Sequence, residues 1–207
     1  MHILPATAEN IAKAADIILA GGIVGHATET CYGLACDMTN LKAVTKLFDV
    51  KQRSHEKSVS ALFSSIEESE KFVLWTEQAR ELAKKYLPGP LTIILRVRPD
   101  TSSPLFPAAE NPAIDDLTLG VRISSHPVAM QLSALCKRPI STTSANLASL
   151  PSPYSIADIV AQFEGQSLQP DILLDSGVLP FCPPSTIVDC SKQEMQIVRQ
   201  GDIDVRI

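Results

Sequence analysis

GGIVGHATETCYGLA, residues 21–35, is the stretch on which the fold turns. Two glycines stop whatever precedes it. The run Ile23-Val24-Gly25-His26-Ala27 is short, apolar and bounded, as a buried strand is. Thr28, Glu29 and Thr30 follow at once. Polar residues placed directly after a buried strand are either a turn between core elements or the floor of a binding site, and the neighbouring segments have to decide between them.

Working outward, residues 9–20 set Ile11, Ala14, Ala15, Ile18 and Leu19 on one helical face and end at Gly21-Gly22. Downstream, Asn40 caps a helix over 41–51 whose stripe is Leu41, Val44, Leu47 and Phe48. Residues 58–64 alternate like a strand. Thr76 caps a helix that stops at Pro88-Gly89-Pro90. Strands are expected at 91–97, 119–124 and 138–145, with a helix opened by Pro127 between the last two. Ser155 caps 156–163, and DILLDS, STIVDC and MQIVR read as three closing strands. Strands interleaved with helices give an α/β fold with a largely parallel or mixed sheet. No repeat or linker divides the chain, which predicts a single domain over 1–207. Residues 98–116 carry four prolines and no periodicity. A loop of that length in a compact domain is expected to be a lid or binding loop, mobile without ligand.

Composition narrows the classes. The chain has 207 residues, 45% hydrophobic, with a formal charge of -5, so its overall field does not favour a polyanion partner. Its five cysteines are scattered, without zinc spacing, and read as small buried hydrophobes in a reducing compartment. No apolar run approaches the ~20 residues of a membrane span, and no targeting segment is visible; a cytoplasmic protein with no membrane partner is expected. The four histidines form no metal spacing, and no metal ligands from side chains are expected. The Walker loop, the dinucleotide fingerprint and the nucleophile elbow are all missing.

The polar residues gather at element ends, where open α/β sheets bind ligands. Thr28 to Gly33 follow a strand, and Lys51-Gln52-Arg53 follow a helix. Arg122 and Ser124 end the 119–124 strand, and Ser141 to Asn146 end another. Pro184-Ser185-Thr186 and Arg199 lie near the end of the chain. Hydroxyls and amides donate hydrogen bonds and guanidinium groups bind phosphate or carboxylate in pairs, so this set suits an anion. Any one member alone is more often a helix cap, a turn or a solvated helix end. The residues by themselves reach an anion-binding α/β domain.

Seven motifs in order carry a resemblance. They are Thr28-Glu29-Thr30-Cys31-Tyr32-Gly33-Leu34, with Lys51-Gln52-Arg53 and Pro88-Gly89-Pro90-Leu91-Thr92; Gly120-Val121-Arg122 with Ser144-Ala145-Asn146; Pro184-Ser185-Thr186-Ile187-Val188-Asp189; and Val198-Arg199-Gln200-Gly201. From about residue 5 to residue 203 the chain resembles the YrdC-like family, the L-threonylcarbamoyladenylate synthases of tRNA modification, in its short form without an extra C-terminal domain. The resemblance implies a twisted open mixed sheet with flanking helices and a concave, positively lined cavity. The implied reaction takes L-threonine, bicarbonate and ATP, with Mg²⁺ on the phosphates, to L-threonylcarbamoyl-AMP and pyrophosphate. A partner transferase then passes the group to an adenosine of tRNA beside the anticodon, and a weak tRNA or dsRNA contact is compatible with this.

By position, Thr30, Arg122, Thr142 and Ser185 match the residues that hold L-threonine. Arg53, Lys57, Thr118, Ser144, Ser152 and Arg199 match those that face ATP, and Lys51 and Asn146 are expected to add nucleotide contacts. Under the same resemblance the opening stretch becomes one wall of the site. The chain departs from the family pattern at Ala27 and Ser54, where proline is usual, and at Leu62 and Ala148. Two alternatives use the same cavity: a non-catalytic RNA-binding module and a drifted paralogue. Aromatics at only 5%, with no stacking platforms, weigh against the first, and the retained Ser144-Ala145-Asn146 weighs against the second.

Overall fold

The computed structural model describes residues 1–55, 58–99 and 117–205. Lys57 and nearly all of the expected lid, residues 100–116, lie outside the described residues. The strands are β1 (His2–Pro5), β2 (Val24–Ala27), β3 (Tyr32–Ala35), β4 (Ser60–Leu62), β5 (Val73–Leu74), β6 (Leu91–Val97), β7 (Thr118–Arg122), β8 (Ile140–Ser144), β9 (Ile172–Asp175), β10 (Thr186–Asp189) and β11 (Gln196–Arg199). The helices are α1 (Ala8–Leu19), α2 (Leu41–Val50), α3 (Ile66–Ser69), α4 (Glu77–Tyr86), α5 (Pro127–Cys136) and α6 (Ile156–Phe163). The strands form one open sheet in the order β1-β9-β2-β3-β8-β4-β7-β6-β10-β11, with β5 paired to β6. Pairing is mixed: β1–β9, β2–β9, β4–β7 and β6–β10 are parallel, and the other pairs are antiparallel.

The helices begin where short polar side chains satisfy their free amides. Asn40 accepts from Lys42 and Ala43, Thr76 accepts from Ala79, and Ser155 forms a capping box with Asp158. Each such cap contributes about 1 kcal/mol. Thr7 starts α1 and the His126 side chain starts α5, two caps that the sequence pattern did not mark. Ile11, Ala14, Ala15 and Ile18 are buried as expected, whereas Leu19 and Leu41, assigned to apolar stripes, are exposed at the helix ends.

The two halves of the sheet are covered differently. Around β9, β2 and β3, alternate residues serve two cores. Ile172 and Leu174 pack with α1 and α5, while Leu173 and Leu34 pack with α2 and α6. In the other half one face is apolar: Leu91, Ile93 and Leu95 of β6 and Leu119 and Val121 of β7 pack on Ala79 and Ala83 of α4. The opposite face of those same strands lines a cavity.

The C-terminal segment is fitted against this half with no spare room. A Cβ on Gly201 would stand 2.0 Å from the Pro184 carbonyl oxygen and 2.6 Å from backbone atoms of Ser185 and Thr186. Because these are main-chain atoms, they move only with the strand they begin. Gly201→Ala is therefore expected to destabilise the protein by about 1–3 kcal/mol, as overpacking does. Urea unfolding checks this, and an unchanged midpoint would show that the segment yields freely.

Candidate functional site

The residues from 28 to 31 are a turn and a wall at once. They join antiparallel β2 and β3, and the Thr28 hydroxyl organises them. It accepts from the Thr30 amide at 3.2 Å and the Cys31 amide at 3.3 Å, and it donates to the Cys31 carbonyl at 2.7 Å. So held, Thr30 and Cys31 face a cavity of about 420 Å³.

Strand alternation supplies the floor. Thr118, Gly120 and Arg122 of β7 line it, with Leu119 and Val121 turned into the core. Thr92 and Ile94 of β6 do the same, Ser60 of β4 and Thr142 and Ser144 of β8 continue the surface, and Ser185, Ile187 and Arg199 close it. Ligands were expected beyond the strand ends; the cavity instead lies largely on the open face of the sheet, since among the described residues no helix covers that face of β6 and β7.

Arg122 is 8% exposed. Its Nη2 donates to Glu29 Oε1 at 2.8 Å and to Thr30 Oγ1 at 2.7 Å, while its buried Nε finds no acceptor among the described residues. Glu29 accepts a second bond from the Ser124 hydroxyl. Burial pushes the Glu29 carboxyl up, but the Arg122 charge and the hydrogen bonds from Ser124 and Arg122 outweigh it, so its pKa lies below the ordinary value.

A helix end sets the second cation. Gln52 takes a left-handed conformation, φ 50°. The Gln52 and Arg53 amides donate back to Asp49 and Phe48, a Schellman-type termination that turns the chain under α2. Arg53 then reaches Thr143 Oγ1 at 3.3 Å and the Ser58 carbonyl at 2.9 Å, beside the Phe48 ring. The third cation, Arg199, donates from Nε and Nη2 to the Ser185 carbonyl at 3.0 and 2.7 Å, and from Nη2 to its hydroxyl at 3.0 Å. Ser185 in turn contacts Thr92 Oγ1 at 3.0 Å.

Thr30, Arg122, Thr142, Ser185, Arg53, Thr118, Ser144, Ser152 and Arg199 all line this one cavity. Lys51 and Asn146 do not line it and are buried behind its wall, so Lys51 is not a solvated helix end. The sequence pattern alone did not single out Glu29 as the partner of Arg122, nor Thr92, Ser60, Tyr154 and Cys182 as lining residues. The polar alternation of Thr92 with Ile94 and of Thr118 with Arg122 was the available sign for the floor. Among the described residues no group of three His, Cys, Asp or Glu side chains comes together that could seat a metal ion, and no helix is long and apolar enough to cross a membrane.

Residues 16–201 match the family model of Sua5, YciO and YrdC proteins, which is described as "Telomere recombination". The threonylcarbamoyl-AMP synthase of Pyrococcus abyssi is 31% identical over 191 residues, a match spanning 92% of this chain and 53% of that relative. The threonylcarbamoyl-AMP synthase of Enterobacter sp. (strain 638) is 31% identical over 157 residues, spanning 74% of this chain and 79% of the relative. The fold superposes on P. abyssi Sua5 complexed with L-threonine with a TM-score of 0.82 at 29% identity, covering 97% of this chain and 56% of that one. This chain thus spans little more than half the length of the P. abyssi protein.

The Glu29–Arg122 pair generates a test. Glu29→Gln keeps the shape and removes the charge, and is expected to destabilise the protein by about 1–3 kcal/mol at pH 7. Since the folded pKa of Glu29 lies below its unfolded value, the contribution is complete above the unfolded value and is lost as pH falls through the folded one. Urea midpoints of wild type and variant should therefore converge in acid. A gap that stays constant down to the lowest pH at which both fold would remove the charge from the account.

Proposed function

This chain belongs to the Sua5/YciO/YrdC family, and on that premise we propose that it is a threonylcarbamoyl-AMP synthase, a nucleotidyltransferase joining L-threonine, bicarbonate and ATP. The observation that carries the reading is the convergence of Arg53, Arg122 and Arg199 with a floor of hydroxyls in one cavity, in a chain whose net charge is -5. The overall field repels anions, so these three guanidinium groups answer to a local anionic ligand.

The reaction needs a carbon–nitrogen bond and a carbonyl–phosphate mixed anhydride. The amine of threonine attacks the carbon of bicarbonate, water leaves, and a carbamate results. A carbamate oxygen then displaces pyrophosphate from the α-phosphorus of ATP. In this reading the Arg122 guanidinium, which lines the cavity, takes the threonine carboxylate. Thr30, Thr142 and Ser185 offer hydroxyls around the amino acid. Arg53 and Arg199, with Thr118, Ser144 and Ser152, face the nucleotide phosphates, where charge builds as pyrophosphate departs. Mg²⁺ enters as part of the MgATP substrate. The chemistry calls for positioning and charge stabilisation and for no protein nucleophile, and Cys31, whose thiol burial pushes up, is poorly suited to be one. The product passes to a transferase acting on tRNA.

Pyrophosphate release from ATP is expected to require both L-threonine and bicarbonate. Equal release without threonine would overturn the reading. Arg122→Lys keeps the charge and loses the fork, and is expected to lower kcat/KM for threonine by roughly 10- to 150-fold, equivalent to losing a charge-assisted hydrogen bond. ATP affinity measured without threonine should hardly change.

A further inference from the structure

Lys51 caps the C-terminus of α2, and its side chain runs inward rather than into solvent; the residue is 3% exposed. Its ammonium donates to three oxygens: the Ser144 carbonyl, the Asn146 carbonyl at 2.8 Å and Asn146 Oδ1 at 3.2 Å. A lysine has three donors, so none is left over. Its main-chain carbonyl accepts from the Ala148 amide at 2.8 Å. Asn146 then spends its own amide on the Leu150 carbonyl, and the Ser144 hydroxyl donates to Asn146 Oδ1. Segment 144–150 is thus tied to Lys51 through its ammonium at 144 and 146, its main-chain carbonyl at 148, and the Asn146 amide at 150. Ser144 lines the cavity; Lys51 and Asn146 do not.

We propose that Lys51 is a positioning residue: it holds segment 144–150 so that Ser144 stands in the cavity wall, and it acts through Ser144 and Asn146 without touching the nucleotide. The contrast with Arg53 and Arg199, which themselves line the cavity, is geometric. An ammonium meant for phosphate would keep donors free toward that space. Burial, with the Arg53 charge beside it, pulls the Lys51 pKa down to about 7, and Cys31 acts weakly the other way. A group so costly to bury is retained where removing it would take a donor from the Ser144 and Asn146 carbonyls, leaving only Asn146 Oδ1 served, by the Ser144 hydroxyl.

The kinetic arm of the test rests on the synthase reading; the other two do not. In the substrate-free protein, Lys51→Met is expected to speed hydrogen exchange at Ala145, Ala148 and Leu150 by at least about tenfold, with the rest of the sheet unchanged. A phosphate contact has no role before ligand binds, so unchanged exchange there would overturn the proposal. In the kinetic arm, Lys51→Arg is expected to lose as much kcat as Lys51→Met. A guanidinium would serve a phosphate in an open cavity, but it does not fit three acceptors converging on one nitrogen. Recovery to near the wild-type rate in Lys51→Arg would overturn it. If Lys51→Met does not fold, the wild type carries the test: in lysine-labelled protein the Lys51 Nζ resonance should stay in place when pyrophosphate is added. A shift on addition would mark a direct contact. If wild type releases no pyrophosphate from ATP, the synthase reading fails, while the exchange and resonance arms remain readable.

Discussion

The whole arrangement depends on β6 and β7 burying one face and not the other. A strand offers its side chains alternately to two faces, and a sheet face left uncovered by a helix must be polar or filled. Leu91, Ile93 and Leu95, with Leu119 and Val121, meet α4 on one side. On the other side Thr92, Thr118, Gly120 and Arg122 meet no helix among the described residues. A Cβ at Gly120 would lie 2.6 Å from Ser60 Oγ and 3.2 Å from the Thr92 methyl. Glycine there keeps the floor between these two hydroxyl residues low. The chain's other half shows the alternative solution, since helices pack on both faces of β2 and β9.

On that open face the charges are fixed before any ligand arrives. Arg122 is tied to Glu29 and Thr30, Arg199 to Ser185, and Arg53 to Thr143 and the Ser58 carbonyl. Each cation is committed along one edge to protein oxygens. A ligand therefore meets donors whose direction is already set, and little reorganisation is left to oppose binding or reaction. Glu29 has a particular part in this. It stands at the back of Arg122, where it offsets the desolvation of a guanidinium without entering the cavity, so the cavity surface itself stays positive.

The alternation of apolar and polar segments was enough to read the α/β class, most helices and the caps Asn40, Thr76 and Ser155, because those signals are local. β1 and β3 escaped for opposite reasons. His2–Pro5 is a short, mostly exposed edge in which Leu4 alone packs on the core, and Tyr32–Ala35 is buried on both faces, so it has no alternation. The residues of the cavity were recognisable as polar groups near element ends, and family resemblance then sorted them. Their assembly was not legible, because it depends on β7 inserting between β4 and β6 and on β10 returning beside β6. Long-range pairing of that kind leaves no trace in local periodicity. Glu29 is the clearest case: nothing within ten residues of it says that its partner is Arg122.

The same distinction explains why Lys51 was easy to misplace. In sequence, Lys51-Gln52-Arg53 looks like a basic run at a helix end, where the helix dipole favours cations and solvent screens them. The left-handed turn at Gln52 separates the two charges. Lys51 is still on the helix and points under it, to the carbonyls of 144 and 146, whereas Arg53 has left the helix and faces the cavity. One residue of opposite handedness thus divides a single charged motif between two sites, one structural and one open to ligand. Burial and the Arg53 charge both act to depress the Lys51 pKa; the three oxygens converging on its nitrogen give it a place to sit despite that. Read this way, the motif's spacing is set by helix termination: one residue between the cations is what a left-handed turn requires to send them in different directions.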